Sequence, residues 1–322
     1  MSTNLLNAHI DELKQLSSIA TTHKDILDIS NKVKIFNAEH GYSYQQPIIL
    51  TFLLLSVASS LVGFVSGIPT LLLYSIVSTI IFSCVFLFKG AKKKKIVNQL
   101  VFKSVEIKNK LLTQTFDGRE LWRELRKKFP LFNCGDESQE ITQLYSSSTN
   151  DGIEFQLYEF KYVDVREVEE EDSDGNKTTK EERTTYYVAG IITEIKDFQG
   201  VTINSGRFKT KWNSASKNFN KRFKVKCNNE ISAAKFFTPS TILAFEDSYK
   251  DLLSLDVTEE GEICMSFNNK ILPSNVKVKS IKKTNEFIQQ LENPIELKVL
   301  TQAKAVVNLI SNKTNSKLKR LV

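Results

Sequence analysis

Histidine, the side chain most often used as a general base and metal ligand near neutral pH, occurs at His9, His23 and His40 and nowhere else in the 322 residues. A Ser-His-Asp or Cys-His nucleophilic arrangement would therefore have to take its base from the N-terminal segment. The four cysteines, Cys84, Cys134, Cys227 and Cys264, are scattered and form no C-x-x-C pair. That scatter fits reduced thiols and leaves three cysteines, too few for a structural zinc site, in the last two thirds of the chain. Neither G-x-x-x-x-G-K-[ST] nor G-x-G-x-x-G occurs, so nucleotide chemistry by those two routes is excluded. Asp172, Asp174 and Asn176 have the one, three, five spacing of a calcium loop, but Lys177 stands where the loop needs Gly and Arg183 where it needs a bidentate Glu. The acidic run reads instead as a solvated turn. Aromatic and basic residues mix from Phe219 to Lys226, as in single-strand nucleic-acid binders, yet their alternation assigns the aromatics to a core face. The expectation is a protein with no catalytic, cofactor-binding or metal-ligating residues and no nucleic-acid partner, not an enzyme. A weaker alternative is an enzyme working with carboxylates and lysines alone.

The elements that would position any site divide sharply. Hydrophobic residues make up 41% of the chain while its mean hydropathy is slightly negative at -0.23, so the apolar residues are concentrated. From Pro47 to Phe88 there is no Asp, Glu, Lys, Arg or His. Residues 47–65 and 70–88 each have the length with which an α-helix crosses a hydrocarbon core of roughly 30 Å, and Gly67 and Pro69 break the helix between them. The sequence thus predicts a two-helix transmembrane hairpin. Lys89, Lys92, Lys93, Lys94 and Lys95 follow it; by the positive-inside rule they hold both termini on the cytoplasmic side, where they would contact the membrane surface. No cleavable signal peptide is visible. The formal net charge of +7 leans on this lysine run and says little about nucleic acid. Ser56, Ser59, Ser60 and Gly63 in the first apolar segment, and Ser75, Thr79 and Ser83 in the second, form small-residue stripes that pack the two helices on each other or on another copy of the chain.

Before the hairpin, residues 1–46 form an amphipathic helical segment: Leu6, Ile10 and Leu13, then Ile26, Ile29, Val33 and Phe36, recur at helical spacing, and Thr22 with Asp25 suggests a capping box. After it, residues 89–322 read as one α+β domain with a helical linker and C-terminal helices. A helix continues through residues 96–110 and another surrounds Leu121 to Leu125. Strand-like runs at 153–165 and 186–195 flank Asp174-Gly175-Asn176 as a long antiparallel hairpin. Phe219 to Cys227 reads as a strand, Thr238-Pro239 opens a helix, a second hairpin turns at Glu259-Glu260-Gly261, and helices cover 287–291 and 295–310. The class is α+β, an antiparallel sheet flanked by helices.

Phe219-Asn220-Lys221-Arg222-Phe223-Lys224-Val225, the Asn228-Asn229 turn, Ala233 and the Phe237-Thr238-Pro239 helix start resemble the signature block of the bacterial domain-of-unknown-function family 3137, and Phe198-Gln199-Gly200 is similar to its F-x-G step. The resemblance spans about residues 100–310; the polar Asn204-Ser205-Gly206 departs from the family pattern. It implies a membrane hairpin ahead of a cytoplasmic domain and no settled activity or catalytic residues. Together these readings predict a multi-pass protein of the bacterial inner (cytoplasmic) membrane, a tethered binding or scaffolding module whose partners are the lipid bilayer and an unidentified protein, with homo-oligomerisation open. The alternative is a two-helix membrane effector, as in bacterial defence, that assembles and perturbs the bilayer.

Overall fold

The computed structural model describes residues 3–42, 47–66, 69–171, 177–249, 251–268, 270–271 and 278–318. Its helices are α1 (Thr3–Ile19), α2 (His23–Glu39), α3 (Pro47–Ser66), α4 (Pro69–Lys108), α5 (Gly118–Lys128), α6 (Lys217–Arg222), α7 (Glu230–Phe236), α8 (Pro239–Ser248), α9 (Thr284–Glu292) and α10 (Lys298–Leu318). Its strands are β1 (Leu112–Thr113), β2 (Glu137–Ser148), β3 (Glu154–Glu171), β4 (Lys177–Glu194), β5 (Val201–Ile203), β6 (Thr210–Trp212), β7 (Val225–Cys227), β8 (Leu252–Val257) and β9 (Glu262–Phe267). The chain forms two compact units, Met1–Lys108 with Lys277–Ile295, and Asn109–Val276 with Glu296–Val322. This differs from the expected boundaries at 46 and 88: residues 89–108 and 277–295 belong with the N-terminal helices, because their apolar faces share one core.

In the helical unit that core joins Leu6, Ile10 and Leu13 of α1, Ile26, Ile29 and Val33 of α2, Ile96, Leu100 and Val101 of α4, and Phe287 and Leu291 of α9. The amphipathic stripes of residues 1–46 thus find their partner within their own unit. The capping box at the start of α2 is present: Asp25 N–H donates to Thr22 Oγ1 at 3.3 Å, and Asp25 Oδ2 accepts from the Thr21 and Thr22 N–H groups at 2.8 Å each. Thr22→Ala removes one half of it and should cost about 1 kcal/mol of stability for this unit, read as a lower midpoint in circular-dichroism melts.

Among the described residues no helix is long and apolar enough to cross a membrane. This overturns the transmembrane hairpin, and with it the multi-pass inner-membrane placement and the cytoplasmic assignment of the termini. The physical reason lies in continuity. The second apolar run does not end as a separate crossing but continues through Lys92 to Lys95 in a single 40-residue helix, whose C-terminal half is packed into the core just described. The hairpin of α3 and α4 is itself formed, held by hydrogen bonds between Ser60 and Ser75 and between Thr79 and Ser56, at 2.9 Å each. Outward side chains such as Phe64 and Val65 are largely exposed, a surface of the kind that marks contact sites.

The second unit is built on one nine-stranded sheet in the order β1-β2-β3-β4-β9-β8-β5-β7-β6, with every pairing antiparallel. The β3–β4 hairpin pairs from Gln156↔Ile192 to Glu171↔Lys177; its tip, with Asp172, Asp174 and Asn176 of the calcium-loop comparison, lies outside the described residues. Alternation sends Leu157, Ile191, Met265, Leu255 and Val201 to one face and Tyr158, Gly190, Cys264, Asp256 and Thr202 to the other. On the second face α5 and the turn Pro130–Asn133 lay Leu125, Phe129 and Phe132 over Tyr158, Phe160 and Cys264. Both faces are therefore covered, as the buried state of all ten named strand residues demonstrates.

Two expected elements differ. Phe219 lies in α6, where Ser216 caps its N–H, and only Val225–Cys227 is strand. Phe219 and Phe223 are four residues apart, a spacing that satisfies both helix and strand periods. The twelve-residue β2 escaped prediction because its register shifts between Ile141 and Gln143, so its buried Ile141 and Leu144 are three apart and break the alternation.

Candidate ligand-binding cleft

Among the described residues two carboxylates are almost fully buried, Glu159 and Asp256. Glu159 is satisfied: Oε1 accepts from Thr142 Oγ1 at 2.9 Å, and Oε2 accepts from the Ile271 N–H at 3.1 Å, which ties the chain beyond β9 back to the sheet. Asp256 is not. Neither of its oxygens completes a hydrogen bond, although the residue is only 1% exposed. Unpaired buried polar atoms are few in folded proteins and costly, so each demands an explanation.

The surroundings of Asp256 follow from register. It sits opposite Thr202 of β5 and Cys264 of β9. Cys264 Sγ lies 3.3 Å from Tyr158 Oη, which also donates to the Met265 carbonyl at 3.2 Å. Tyr158 reaches that position because its β4 neighbour is Gly190, whose missing side chain leaves room for the phenol. Burial pushes both the Tyr158 hydroxyl and the Cys264 thiol far above their ordinary pKa values, so both stay protonated. The same burial raises Asp256 to about 6, against the opposing influence of Ser205 and the Arg207 guanidinium. Ser205 stands near enough to favour the ionised carboxylate, yet its Oγ lacks hydrogen-bond geometry, as does Arg207 Nε. An unpaired acceptor, an unpaired hydroxyl and an unpaired cationic donor thus occupy one neighbourhood.

Arg207 also lines an open cleft of about 560 Å³ with Lys127, Lys128, Glu194, Thr258, Glu260 and Glu262. Four elements supply these groups, with Glu194 at the end of β4. Lys127 and Lys128 end α5, where cations favour the helix C-terminus. Thr258, Glu260 and Glu262 form the β8–β9 turn, in which Thr258 Oγ1 accepts from the Glu260 and Glu262 N–H groups at 3.2 Å each and Gly261 supplies the left-handed residue at φ 91°. Arg207 comes from the β5–β6 connection, its guanidinium 6.0 Å from the Phe129 ring. Lys128 binds Glu262 at 2.5 Å, and Thr258 hydrogen bonding holds Glu260 below the usual carboxylate range. The cleft therefore offers three cations and three anions, and Arg207 also acts on the buried carboxylate of Asp256.

None of these residues was singled out from the sequence. The available signal was the pair Ser254 and Asp256 facing Ser266 and Cys264 across β8 and β9, a polar stripe that period-two reading assigns to solvent. The residues that the sequence did single out lie elsewhere. Ser56, Ser60, Ser75 and Thr79 meet within the α3–α4 hairpin, whereas Ser59 Oγ donates to the Leu55 carbonyl of its own helix. For Gly63, Ser83 and Lys89, everything beyond the helical backbone lies outside the described residues. Of the lysines expected at a membrane surface, Lys92 instead pairs with Asp11 at 3.0 Å and Lys93 Nζ donates to the Tyr42 carbonyl at 3.2 Å, while Lys94 and Lys95 are exposed. Lys93 is half-buried there, whereas Lys92 stays exposed in its ion pair. Among the described residues no group of three or more His, Cys, Asp or Glu could hold a metal. No protein-family model, no curated protein and no solved structure matches the chain.

Proposed function

We propose that the protein is a binding module whose sheet-based unit takes a small zwitterion in the cleft of Arg207, with kinship to the domain-of-unknown-function family 3137. The carrying observation is an orphaned buried carboxylate within the electrostatic influence of an orphaned cationic donor that lines a cleft of balanced charge. An ammonium group of the ligand would give Asp256 the donor it lacks, and an anionic group would engage Lys127 and the released Arg207. Binding of this kind spends an unfavourable feature of the free protein on recognition, which is why such a group persists. The role is recognition rather than catalysis.

The test is calorimetric titration of the full chain with free L-amino acids and short peptides, beside Asp256→Asn and Arg207→Gln. Saturable binding that weakens about tenfold or more in both variants, as loss of a charge-assisted hydrogen bond requires, supports the reading. Binding unchanged in both variants, or none of the probes binding, overturns it.

A further inference from the structure

The helical unit buries one of the three histidines in a complete hydrogen-bonded chain. His9 is 8% exposed, and its ring stacks on Phe36 with centroids 3.9 Å apart and planes 3° from parallel. Nε2 lies 2.8 Å from Tyr42 Oη, and Nδ1 lies 3.4 Å from Glu12 Oε2. Glu12 is fixed in turn by Lys32 Nζ at 2.5 Å. These contacts define one neutral tautomer: Nδ1–H donates to Glu12, leaving Nε2 to accept the Tyr42 hydroxyl. Tyr42 is itself 2% exposed, and its carbonyl accepts from Lys93 of α4. It stands five residues before Pro47, where α3 begins. The chain Glu12, His9, Tyr42, Lys93 therefore connects α1 to α4.

We propose that His9 is a proton-operated latch: neutral, it holds Tyr42 and through it α4 at Lys93, and protonated, it releases them. The chemistry is direct. A second proton on the ring converts Nε2 from acceptor to donor, so the Tyr42 hydroxyl loses its acceptor in a buried place and must leave or stay unpaired. The charged groups around the ring divide in sign. Glu12 of α1 favours the imidazolium, Lys32 and His40 of α2 oppose it, Glu39 lines the same hollow, and Lys93 of α4, with Lys282 beside it, donates to the Tyr42 carbonyl. Desolvation outweighs Glu12 and holds His9 below 6.5. The latched form is accordingly complete above about pH 6.5 and is lost as the pH falls through the lowered value, because the released imidazole binds the proton more tightly. A hollow of about 470 Å³ lined by His9, Glu12, Glu39 and His40 gives the proton its way in.

Hydrogen exchange of the full chain, corrected for intrinsic rates, tests this at pH 7.5 and 5.5. Protection of the backbone around Tyr42 should fall by up to about tenfold between them, because pH 5.5 lies about one unit below the released imidazole's value of 6.5. His9→Gln, which keeps a donor and an acceptor without titrating, should flatten the response; His23→Gln, on an exposed residue, should leave it intact. If His9→Gln does not fold, Tyr42→Phe is the second variant and should also flatten it. Equal protection at both pH values in the parent, or a response surviving in His9→Gln or Tyr42→Phe, overturns the latch.

Discussion

Asp256→Asn should stabilise the sheet-based unit by about 2 kcal/mol at pH 8 and leave its stability at pH 4 nearly unchanged. The folded protein raises Asp256 from 3.8 to about 6. Two units correspond to about 3 kcal/mol of cost for keeping the buried carboxylate ionised. Its linkage runs opposite to that of a salt-bridged carboxylate: the contribution favours folding fully below 3.8 and is lost as the pH rises through 6. Asparagine removes the charge but brings a buried amide of its own, so the net gain is smaller than the full figure. Urea denaturation at pH 4, 6 and 8 followed by tryptophan fluorescence reads this cleanly, because both tryptophans, Trp122 and Trp212, belong to this unit. A parent protein whose stability rose relative to the variant between pH 5 and 8 would show instead that the carboxylate is paired. A variant that gains stability while losing its ligand is the trade expected of a binding group.

Gly190→Ala should destabilise the same unit, costing about 3 kcal/mol or more. A Cβ there would fall 2.1 Å from the Met265 carbonyl oxygen and 2.4 Å from Tyr158 Oη. The first is backbone of the paired β9 strand and cannot turn away; the second is the tip of a fully buried ring held by Cys264 and Met265. Adding Tyr158→Phe relieves only the second clash, so the double variant should recover a fraction of the loss in the same urea measurement. Full recovery would mean that β9 accommodates the methyl group without strain.

Much of the framework was legible in the chain because it rests on local rules. The Thr22–Asp25 capping box, the α5 start beside Gly118 and the two hairpins are each written within a few residues. Where local rules give two answers, the reading failed. Phe219 and Phe223 fit either period, and burial of their rings against Phe237 and Phe245 chose the helix. The strand β2 hid behind its irregular register. Composition showed the uncharged run at 47–88, but its second half is one helix with residues 89–108, and packing against α1, α2 and α9 decided that.

By itself the sequence determined which residues form helices and strands over most of the chain, where the charge-free hairpin lies, and that histidine is confined to the first forty residues. Tertiary structure alone decided the sites. Ser254 and Asp256 alternate with Leu255 and Val257, a pattern that one-sided burial would turn toward water; both lie in the interior instead, because the second sheet face is covered as well. His9 likewise reads as one polar position on an amphipathic helix until Phe36 and Tyr42, 27 and 33 residues away, close over it. Periodicity reports which side chains share a face; only packing determines whether that face meets solvent or another layer, and therefore whether its carboxylate or imidazole is solvated or buried with a shifted pKa.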